Sequence, residues 1–249
     1  MTARPLVAHA LFKRFKRKQV LDGFDLELEP GQITVILGEN GSGKTTLMNL
    51  ALGVLRPDGG RITVEGLDPV KHAREVRRAI GFVPSVPDAY GWMTVEDLFK
   101  FLAPQYPVWD QAKGLELVDR LEVPLSRRFE DLSRGEGMKA MLCAALAPDP
   151  RILLLDEPFA GLDPLVREEV LGSVIGELQD GRRTILCATH DLDVAARIAD
   201  RIVLLRQGRC AAHDTLEAIL GDQQPNRISQ RLHKVLEETM RDEEVELPC

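Results

Sequence analysis

The sequence predicts an α/β fold with a parallel β-sheet core, an antiparallel N-terminal β region and an inserted helical subdomain. Three observations support this fold class. Short apolar runs alternate with helical patterns from about residue 151 onward, which favours a parallel sheet. Residues 24–28 alternate apolar and acidic side chains, as a half-buried strand does. The stretch from about 88 to 148 shows helical spacing instead, so we predict that it is inserted into the sheet.

The N-terminal region is predicted to contain short strands separated by turns. Pro30 and Gly31 give one turn signal, and the Arg-Pro-Asp-Gly-Gly sequence at 56–60 gives another. Between the two turns lies a run at 33–37 that is apolar except for one threonine. An apolar helical stretch at 47–55 comes after it. This order predicts a buried strand, a loop and a helix.

The central stretch is predicted to be mostly helical. Thr94 is placed to cap a helix, and Asp97 completes the pattern of a capping box. A second helix is predicted around residues 115–121, where leucines and a valine share one face.

The C-terminal half is predicted to alternate strands and helices. Strands are predicted at 151–155, 184–188 and 201–205, and helices at 166–178 and 191–199. We therefore expect one domain over 6–212, with its core in 6–87 and 149–212, followed by a helical tail over 213–249.

The composition argues against several classes of protein. A net charge of −7 provides no basic field for nucleic acid, and 44% hydrophobic residues suffice for a full core. Apolar runs such as 152–155 are far shorter than the roughly 20 residues that span a bilayer. The first residues lack the apolar core of a signal peptide, so we expect a cytoplasmic chain. The four cysteines form no C-x-x-C pair, and we predict neither a disulfide nor a zinc site.

The most specific motif is a G-x-x-x-x-G-K-T sequence that directly follows the apolar run at 33–37. Its glycines let backbone N–H groups turn inward around phosphate oxygens, and the following helix N-terminus adds positive potential. Lys44 is placed to reach the terminal phosphates, and the Thr45 hydroxyl to ligate Mg²⁺. We predict a site for a nucleoside triphosphate with Mg²⁺, rather than a chance glycine-rich turn. The predicted binding residues are Gly38, Glu39, Asn40, Gly41, Ser42, Gly43, Lys44, Thr45 and Thr46.

Two adjacent acids, Asp156 and Glu157, follow the apolar run at 152–155. Ligands of open parallel sheets lie beyond the carboxyl ends of the strands. We therefore predict that Asp156 holds Mg²⁺ and that Glu157 polarises the attacking water as a general base. The alternative is a surface turn with two solvated acids.

His190 follows another apolar run, 184–188, and is a candidate for a group beside the same phosphates. It would donate to the γ-phosphate or position the attacking water together with Glu157. The alternative is an ordinary histidine at a helix start, with Thr189 and Asp191 as caps, and the residues by themselves leave both possibilities open.

Taken together, the motifs occur in an order that resembles the ATP-binding-cassette (ABC) ATPases. Leu-Ser-Arg-Gly-Glu at 132–136 resembles the LSGGQ signature, and Ala-Gly-Leu-Asp-Pro at 160–164 resembles the D-loop. His190 falls where this family has its switch histidine, and Phe15 where an aromatic ring stacks on adenine. The resemblance covers roughly residues 6–212 and implies a P-loop NTPase of RecA-like architecture that hydrolyses ATP with Mg²⁺.

The signature motif implies a head-to-tail dimer of two ABC ATPase subunits, as a homodimer or a heterodimer with a paralogue. Each ATP would lie between the P-loop of one subunit and the signature of the other. Ser133 and the N–H of Gly135 would then reach a γ-phosphate bound by the partner chain. Arg134 and Glu136 belong to the same trans signature, and Asp163 is the acid of the D-loop.

Two positions depart from the family pattern. Ser85 stands where the family places a glutamine that reaches Mg²⁺ and the attacking water. A serine is shorter, so either Ser85 would act on the metal only through an intervening water, or the coupling would run through other residues. Arg134 replaces a glycine of the signature, and we expect its side chain to point to solvent. Gly135, the residue needed for close approach to phosphate, is kept.

The Ser-Arg-Gly variant and the Phe-Ala-Gly-Leu-Asp-Pro run at 159–164 resemble the exporter-type (ABC-2, antibiotic-resistance-like) branch. This resemblance implies an ATPase subunit held on the inner face of the cell membrane by a separate transmembrane permease. Tyr90, Trp92 and Met93 are candidate permease contacts. The alternatives are a soluble ABC ATPase in translation or DNA repair, and a regulatory module that binds ATP without hydrolysing it.

A basic cluster at 13–18 surrounds Phe15. Such a cluster can indicate nucleic acid or lipid, but an exposed hairpin near the nucleotide base explains it more simply. We therefore expect no nucleic-acid partner.

Overall fold

The computed structural model describes residues 4–176, 183–216 and 218. These residues belong to two compact units. The first comprises the described residues up to Val76 and from Thr184 onward, and the second comprises Arg77–Arg183. No helix in the described ranges is long and apolar enough to cross a bilayer. The α/β fold class predicted from the sequence is confirmed.

In chain order the elements are β1 (Leu6–Phe15), β2 (Lys18–Glu27), β3 (Ile33–Leu37), α1 (Lys44–Ala51), β4 (Gly59–Val64), α2 (Ala73–Ala79), β5 (Ile80–Val83), α3 (Val95–Leu102), α4 (Gln111–Arg120), α5 (Arg134–Leu146), β6 (Ile152–Asp156), α6 (Pro164–Gly176), β7 (Thr184–Thr189), α7 (Leu192–Ile198), β8 (Arg201–Arg206) and β9 (Arg209–Thr215). Two short 3₁₀ helices lie at Ala103–Gln105 and Phe129–Asp131.

The first unit opens with an antiparallel sheet, as the sequence predicts. Strand β1 pairs antiparallel with both β2 and β4. The β1–β2 hairpin turns at Lys16, whose φ of 53° lies in the left-handed region. The basic cluster is therefore part of a hairpin. Within it, Lys13 Nζ donates to Asp58 over 3.0 Å and to the carbonyl oxygen of Arg56 over 2.7 Å, so this cation already has partners in the same unit.

The first unit also contains strands β3, β7, β8 and β9, which are mostly parallel. Strand β3 pairs in parallel with β7 on one side and β8 on the other, and β9 pairs antiparallel with β8. All residues of β3 and β7 are buried, which explains why their sequences are apolar without alternation. The carboxyl ends of β3 and β7 lie side by side, since Leu37 is the register partner of Thr189. Loops that leave these two ends therefore meet at one edge of the sheet.

The second unit pairs β5 with β6 in parallel and carries helices α3 to α6. Thr94 caps α3 with the predicted capping box: its hydroxyl accepts from the Asp97 N–H over 3.0 Å, and Asp97 accepts from the Thr94 N–H over 3.1 Å. The predicted helix around residues 115–121 is present as α4, where Asp110 provides the N-cap.

Helix α2 and strand β9 were not predicted from the sequence. Because β9 continues to Thr215, the start of the predicted helical tail at 213–215 is strand and not helix. This correction has a physical cause, since the edge of β8 offers these residues a full antiparallel partner. The predicted apolar helix face of the tail, from Ile228 to Thr239, lies outside the described residues.

Candidate functional site

The glycine loop of the first unit connects the end of β3 to the start of α1. Gly41 has a φ of 80° and Gly43 a φ of 119°, a backbone conformation that side chains rarely tolerate. At Gly38 the constraint is space: a Cβ there would lie 2.6 Å from the carbonyl oxygen of Leu205. The loop can therefore approach a ligand with its backbone, as the sequence predicts for a phosphate cradle.

Lys44 is the first residue of α1, and it is only 5% exposed. Its Nζ donates to the carbonyl oxygens of Gly38 and Glu39, over 2.6 and 3.1 Å. The side chain thus folds back along the loop rather than extending into solvent. A cation in this position, at the N-terminal end of a helix, favours an anionic ligand in the loop.

Two hydroxyl groups of the loop region fit a phosphate–metal ligand. The Ser42 Oγ is buried and, among the described residues, has no hydrogen-bond partner. A phosphate oxygen would satisfy this hydroxyl. Thr45 is exposed in the first turn of α1, and a hydroxyl oxygen is a ligand that Mg²⁺ accepts.

A pocket of about 530 Å³ lies against the glycine loop within the first unit. Its lining residues are Lys18, Leu37, Gly38, Glu39, Asn40, Gly41, Ser42, His190, Leu192, Leu204, Leu205, Arg206, Gln207 and Ala211. The structure therefore brings His190 together with the glycine loop, as the sequence analysis expects. Phe15 does not line this pocket.

His190 directly follows β7 and is exposed. The neighbouring residues are caps: the Thr189 hydroxyl accepts from the Asp191 N–H over 3.1 Å, and the Asp191 carboxylate accepts from two N–H groups of α7 over 3.0 Å. The two possibilities that the sequence left open are therefore compatible, because caps on both sides fix the turn that presents the histidine to the pocket.

Phe15 lies at the end of β1 with 44% of its surface exposed. Lys13 Nζ lies 5.6 Å from the centre of its ring, at cation–π distance. The exposed ring is thus available for stacking, although it is not among the residues that line the pocket.

Lys18 was not predicted as a site residue. It lines the pocket, and its Nζ would lie 3.8 Å from a Cβ added at Gly41. This second cation near the loop could have been found from the basic cluster, of which it is the last member and the first residue of β2. The sequence analysis instead assigned the whole cluster to an exposed hairpin.

In the second unit, Asp156 ends β6 and is 1% exposed. Glu157 follows with a φ of 48°, in the left-handed region, which is uncommon for a residue with a long side chain. Such conformations occur at functional sites, where the surrounding structure maintains them. A buried carboxylate at the end of a strand has the oxygen donors that Mg²⁺ prefers.

The signature segment forms the N-terminus of α5. Ser133 is the N-cap, and its hydroxyl accepts from the Glu136 N–H over 3.2 Å. Glu136 accepts in return from the Ser133 N–H over 2.8 Å, and Arg127 donates to it over 2.8 Å. The hydrogen bond from the Ser133 N–H is the main cause that lowers the pKa of Glu136. Glu136 therefore forms part of the capping box of its own helix, α5.

Gly135 lies where α5 meets α6 in the second unit, and Asp163 caps the start of α6. A Cβ on Gly135 would lie 2.9 Å from Cγ1 of Val166, so the close approach that requires glycine here is to the same chain. The Asp163 carboxylate caps α6 by accepting from the N–H groups of Leu165 and Val166, both over 3.1 Å.

The expectation that Arg134 points to solvent needs a correction: the residue is exposed, but two hydrogen bonds hold its guanidinium against its own chain. Its Nε donates to the carbonyl oxygen of Ala160 and its Nη2 to that of Ser85, both over 3.0 Å. The correction follows from geometry, since a guanidinium offers several N–H donors in one plane and two carbonyl groups lie within its reach. The Ser85 backbone is thus engaged, and nothing in these contacts brings its side chain to a metal.

Two of the candidate permease contacts are exposed and the third is not. Tyr90 and Trp92 stack with ring centres 5.7 Å apart, and they are 67% and 63% exposed. Met93 is only 6% exposed, so it packs inside the second unit and cannot be a contact in this arrangement.

Comparison with known proteins agrees with these motifs. A family model described as "ABC transporter" matches residues 21–160. A daunorubicin resistance ATP-binding protein of Streptomyces coeruleorubidus is 36% identical over 221 residues, which cover 87% of this chain and 70% of the relative. An aliphatic sulfonates import ATP-binding protein of Granulibacter bethesdensis is 36% identical over 223 residues, covering 87% and 86% of the two chains. A solved ATP-binding subunit of an ABC transporter superposes with a TM-score of 0.82 at 26% identity, covering 95% of this chain and 99% of that one.

Proposed function

Because this chain belongs to the ABC transporter family and is one of its ATPases, we propose that it powers a separate transmembrane permease and drives export. The observation that carries the ATPase part is the glycine loop between β3 and α1, with Lys44 folded along it. Relatives of similar identity are named for drug resistance and for import. The Ser-Arg-Gly signature variant and the resistance relative favour export, since removal of a compound is the direct way for a transporter to give resistance.

We propose that the glycine loop and Lys44 bind the phosphates of ATP. Ser42 contributes its buried hydroxyl, and Lys18 adds a second positive charge beside the loop. Phe15 stacks on the adenine ring from the hairpin of β1 and β2. Glu39, Asn40 and Thr46 complete the binding residues through the loop and the first turn of α1.

Thr45 and Asp156 are the residues that we propose to hold Mg²⁺. Both offer oxygen atoms, and the carboxylate is already buried at the end of a strand. When bound, the ion would neutralise charge that develops on the phosphates. Ser85 is left out of this set, because its engaged backbone and short side chain give no support for a ligand.

Glu157 is the proposed general base, which accepts a proton from the water that attacks the γ-phosphate. His190 lines the pocket beside the glycine loop, and we propose that it donates to the γ-phosphate. A base of this kind typically contributes a rate factor of about 10² to 10⁴.

Cassettes of this family act as dimers, together with membrane permeases. We propose that the N-terminus of α5 faces the ATP of the second subunit and offers the Ser133 hydroxyl and the Gly135 N–H to it. Arg134 and Glu136 support this helix end through bonds in their own chain. The stacked, exposed pair of Tyr90 and Trp92 is the proposed permease contact.

The test uses Glu157→Gln, which keeps the shape of the side chain and removes the base. We expect ATP hydrolysis to fall by at least about a hundredfold while ATP binding persists, so that ATP and Mg²⁺ trap the dimer on the permease. The tagged variant is purified from detergent-solubilised cells of its source with ATP and Mg²⁺. Lys44→Ala, which should not retain ATP, is the matched control.

A polytopic membrane protein that co-purifies with Glu157→Gln and not with Lys44→Ala would support the proposal. Recovery of ribosomes or nucleic acid would instead favour an ATPase of translation or repair. Equal, slow hydrolysis by wild type and Glu157→Gln would favour a regulatory module. For direction, co-expression with the captured permease should lower the accumulation of daunorubicin in cells, and unchanged or higher accumulation would count against export of such compounds.

A further inference from the structure

The guanidinium of Arg134 joins three segments of the second unit that are far apart in sequence. It belongs to the first residue of α5, and it donates to a carbonyl group 49 positions away at Ser85 and another 26 positions away at Ala160. One acceptor lies just beyond the end of β5 and the other just beyond the end of β6, and these strands are parallel partners. Arg134 thus connects the helix start to the loops that leave two neighbouring strand ends.

The structure makes room for this side chain. Gly161 has a φ of 69°, and a Cβ there would lie 3.2 Å from the Nε of Arg134. Any side chain at position 161 would therefore press against the guanidinium. The glycine of the Ala-Gly-Leu-Asp-Pro run has, in this chain, the further role of admitting the arginine.

A close backbone contact and an ion pair along α5 support the same connection. A Cβ on Gly137 would lie 2.8 Å from Cγ of Pro87, so the helix backbone lies directly against the segment that begins at Ser85. On the side of α6, buried Lys139 forms an ion pair with Glu169. The two hydrogen bonds of Arg134 therefore close a contact that packing already brings together.

A short path of hydrogen bonds leads from Arg134 to Glu157. The Arg134 Nε holds the carbonyl oxygen of Ala160, and the N–H of Ala160 donates to the carbonyl oxygen of Glu157 over 3.1 Å. The turn from Glu157 to Ala160 is thus closed by its own hydrogen bond and tied to the start of α5 at its Ala160 end. This turn also holds the left-handed backbone of Glu157, a conformation that needs support from its surroundings.

We propose that Arg134 is a positioning residue for Glu157: its two hydrogen bonds hold the turn 157–160 and the loop at Ser85 against the start of α5. An effect of Arg134 on catalysis rests on the proposed role of Glu157 as the base. The two hydrogen bonds of Arg134 do not depend on that role. In this chain the arginine of the signature acts inward, on its own subunit. The planar guanidinium of arginine can reach two separate acceptors, whereas the ammonium group of a lysine carries its donors on a single atom.

The first test is hydrogen exchange on the full chain without nucleotide, comparing wild type, Arg134→Lys and Arg134→Gly. Both variants should exchange about threefold to tenfold faster in peptides that cover 85–88 and 157–161, because local opening becomes easier. Other peptides should be unchanged. Arg128→Lys, an exposed arginine of the same unit that pairs with Glu130 over 3.6 Å, is the matched control. Unchanged exchange in both peptides would overturn the proposal.

The second test measures kcat and KM for ATP in the same variants. A misplaced base should lower kcat by about tenfold and change KM by less than about twofold, and Arg134→Lys should resemble Arg134→Gly more than wild type. A raised KM with unchanged kcat, rescued by lysine, would overturn the proposal and show a charge that acts on phosphate. If Glu157→Gln hydrolyses ATP like wild type, the base assignment fails, and the exchange experiment still decides the contact. Melting temperatures identify a variant that fails to fold, in which case Arg134→Lys, the milder change, decides.

Discussion

The ammonium group of Lys44 donates to the carbonyl oxygen of Gly38 over 2.6 Å, so the first residue of α1 is tied to the first residue of the glycine loop. This bond aligns the cation with the loop in the absence of a bound phosphate. The charge needs little rearrangement to meet an anion, and preorganisation of this kind lowers the entropic cost of binding.

Removal of this cation should affect binding far more than folding. We expect Lys44→Ala to weaken ATP affinity by at least about tenfold, because the loop loses its buried positive charge. Isothermal titration calorimetry with ATP and Mg²⁺ measures the effect. Lys71→Ala removes an exposed lysine that pairs only loosely with Asp68, at 3.7 Å, and should bind like wild type. Equal affinities for the two variants would contradict the assignment.

Two glycines provide opposite predictions for the same substitution. Gly43→Ala introduces a Cβ at a φ of 119° and 3.0 Å from Val20 and Leu21 atoms, so we expect a loss of about 1–2 kcal/mol in the free energy of unfolding and weaker ATP binding. Gly172→Ala changes an exposed position of α6, where nothing lies within 4 Å of the new carbon. It should gain about 0.5–1 kcal/mol in the free energy of unfolding, or roughly 1–4 °C in melting temperature.

Both glycine variants are followed by thermal unfolding and by nucleotide titration. If Gly43→Ala retains wild-type stability and affinity, the loop does not need its left-handed residue. If Gly172→Ala is destabilised, the space around that position has been misjudged.

The capping box of α5 predicts a dependence of stability on pH. The hydrogen bond from the Ser133 N–H, with help from Arg127, lowers the pKa of Glu136 below its ordinary value of 4.5. A lowered folded-state pKa means stability that is present above about pH 4.5 and is lost as the pH falls through the folded value. Glu136→Gln keeps the shape and removes the charge, so wild type should be more stable at pH 7, by less than about 1 kcal/mol, and this advantage should disappear under acid.

Urea unfolding of wild type and Glu136→Gln between pH 7 and pH 4 measures this difference. A difference that stays constant over the whole range would show that the carboxylate charge contributes nothing.

Stacking of Phe15 on adenine predicts a base-dependent loss of affinity. We expect Phe15→Ala to raise the dissociation constant for ATP by about fivefold to 150-fold, since an aromatic–base contact contributes roughly 1–3 kcal/mol by alanine substitution. Inorganic tripolyphosphate has no base, and its competition with a labelled nucleotide should be the same in wild type and variant. A parallel loss for tripolyphosphate would show that the substitution disturbs the phosphate loop instead.

Features encoded locally were predicted from the sequence with success. The capping box of Thr94 and Asp97 involves residues three positions apart, and the apolar run of β3 reflects burial on both faces. The glycine loop and His190 could be brought together from sequence because parallel strands place their carboxyl ends at one edge.

What the sequence could not give depends on distant partners. The two hydrogen bonds of the exposed Arg134 were not predicted, because their acceptors at Ser85 and Ala160 are carbonyl groups of other segments, which no local pattern marks. Strand β9 was missed for the same reason, since its partner β8 and not its own residue pattern makes it a strand. Met93 was predicted to be a permease contact beside Tyr90 and Trp92, but it is buried, and no local pattern marks that burial.

At Glu157, which has a left-handed backbone, thermal stability and catalytic activity favour different residues. A glycine or asparagine accepts that conformation more easily, so replacing the glutamate should relieve about 1 kcal/mol of strain while the proposed base is lost. A directed-evolution campaign that selects only for heat tolerance would therefore be drawn toward inactive variants at this position. Work that aims to raise the thermal stability of this enzyme should therefore measure turnover together with melting temperature, or leave residue 157 unchanged.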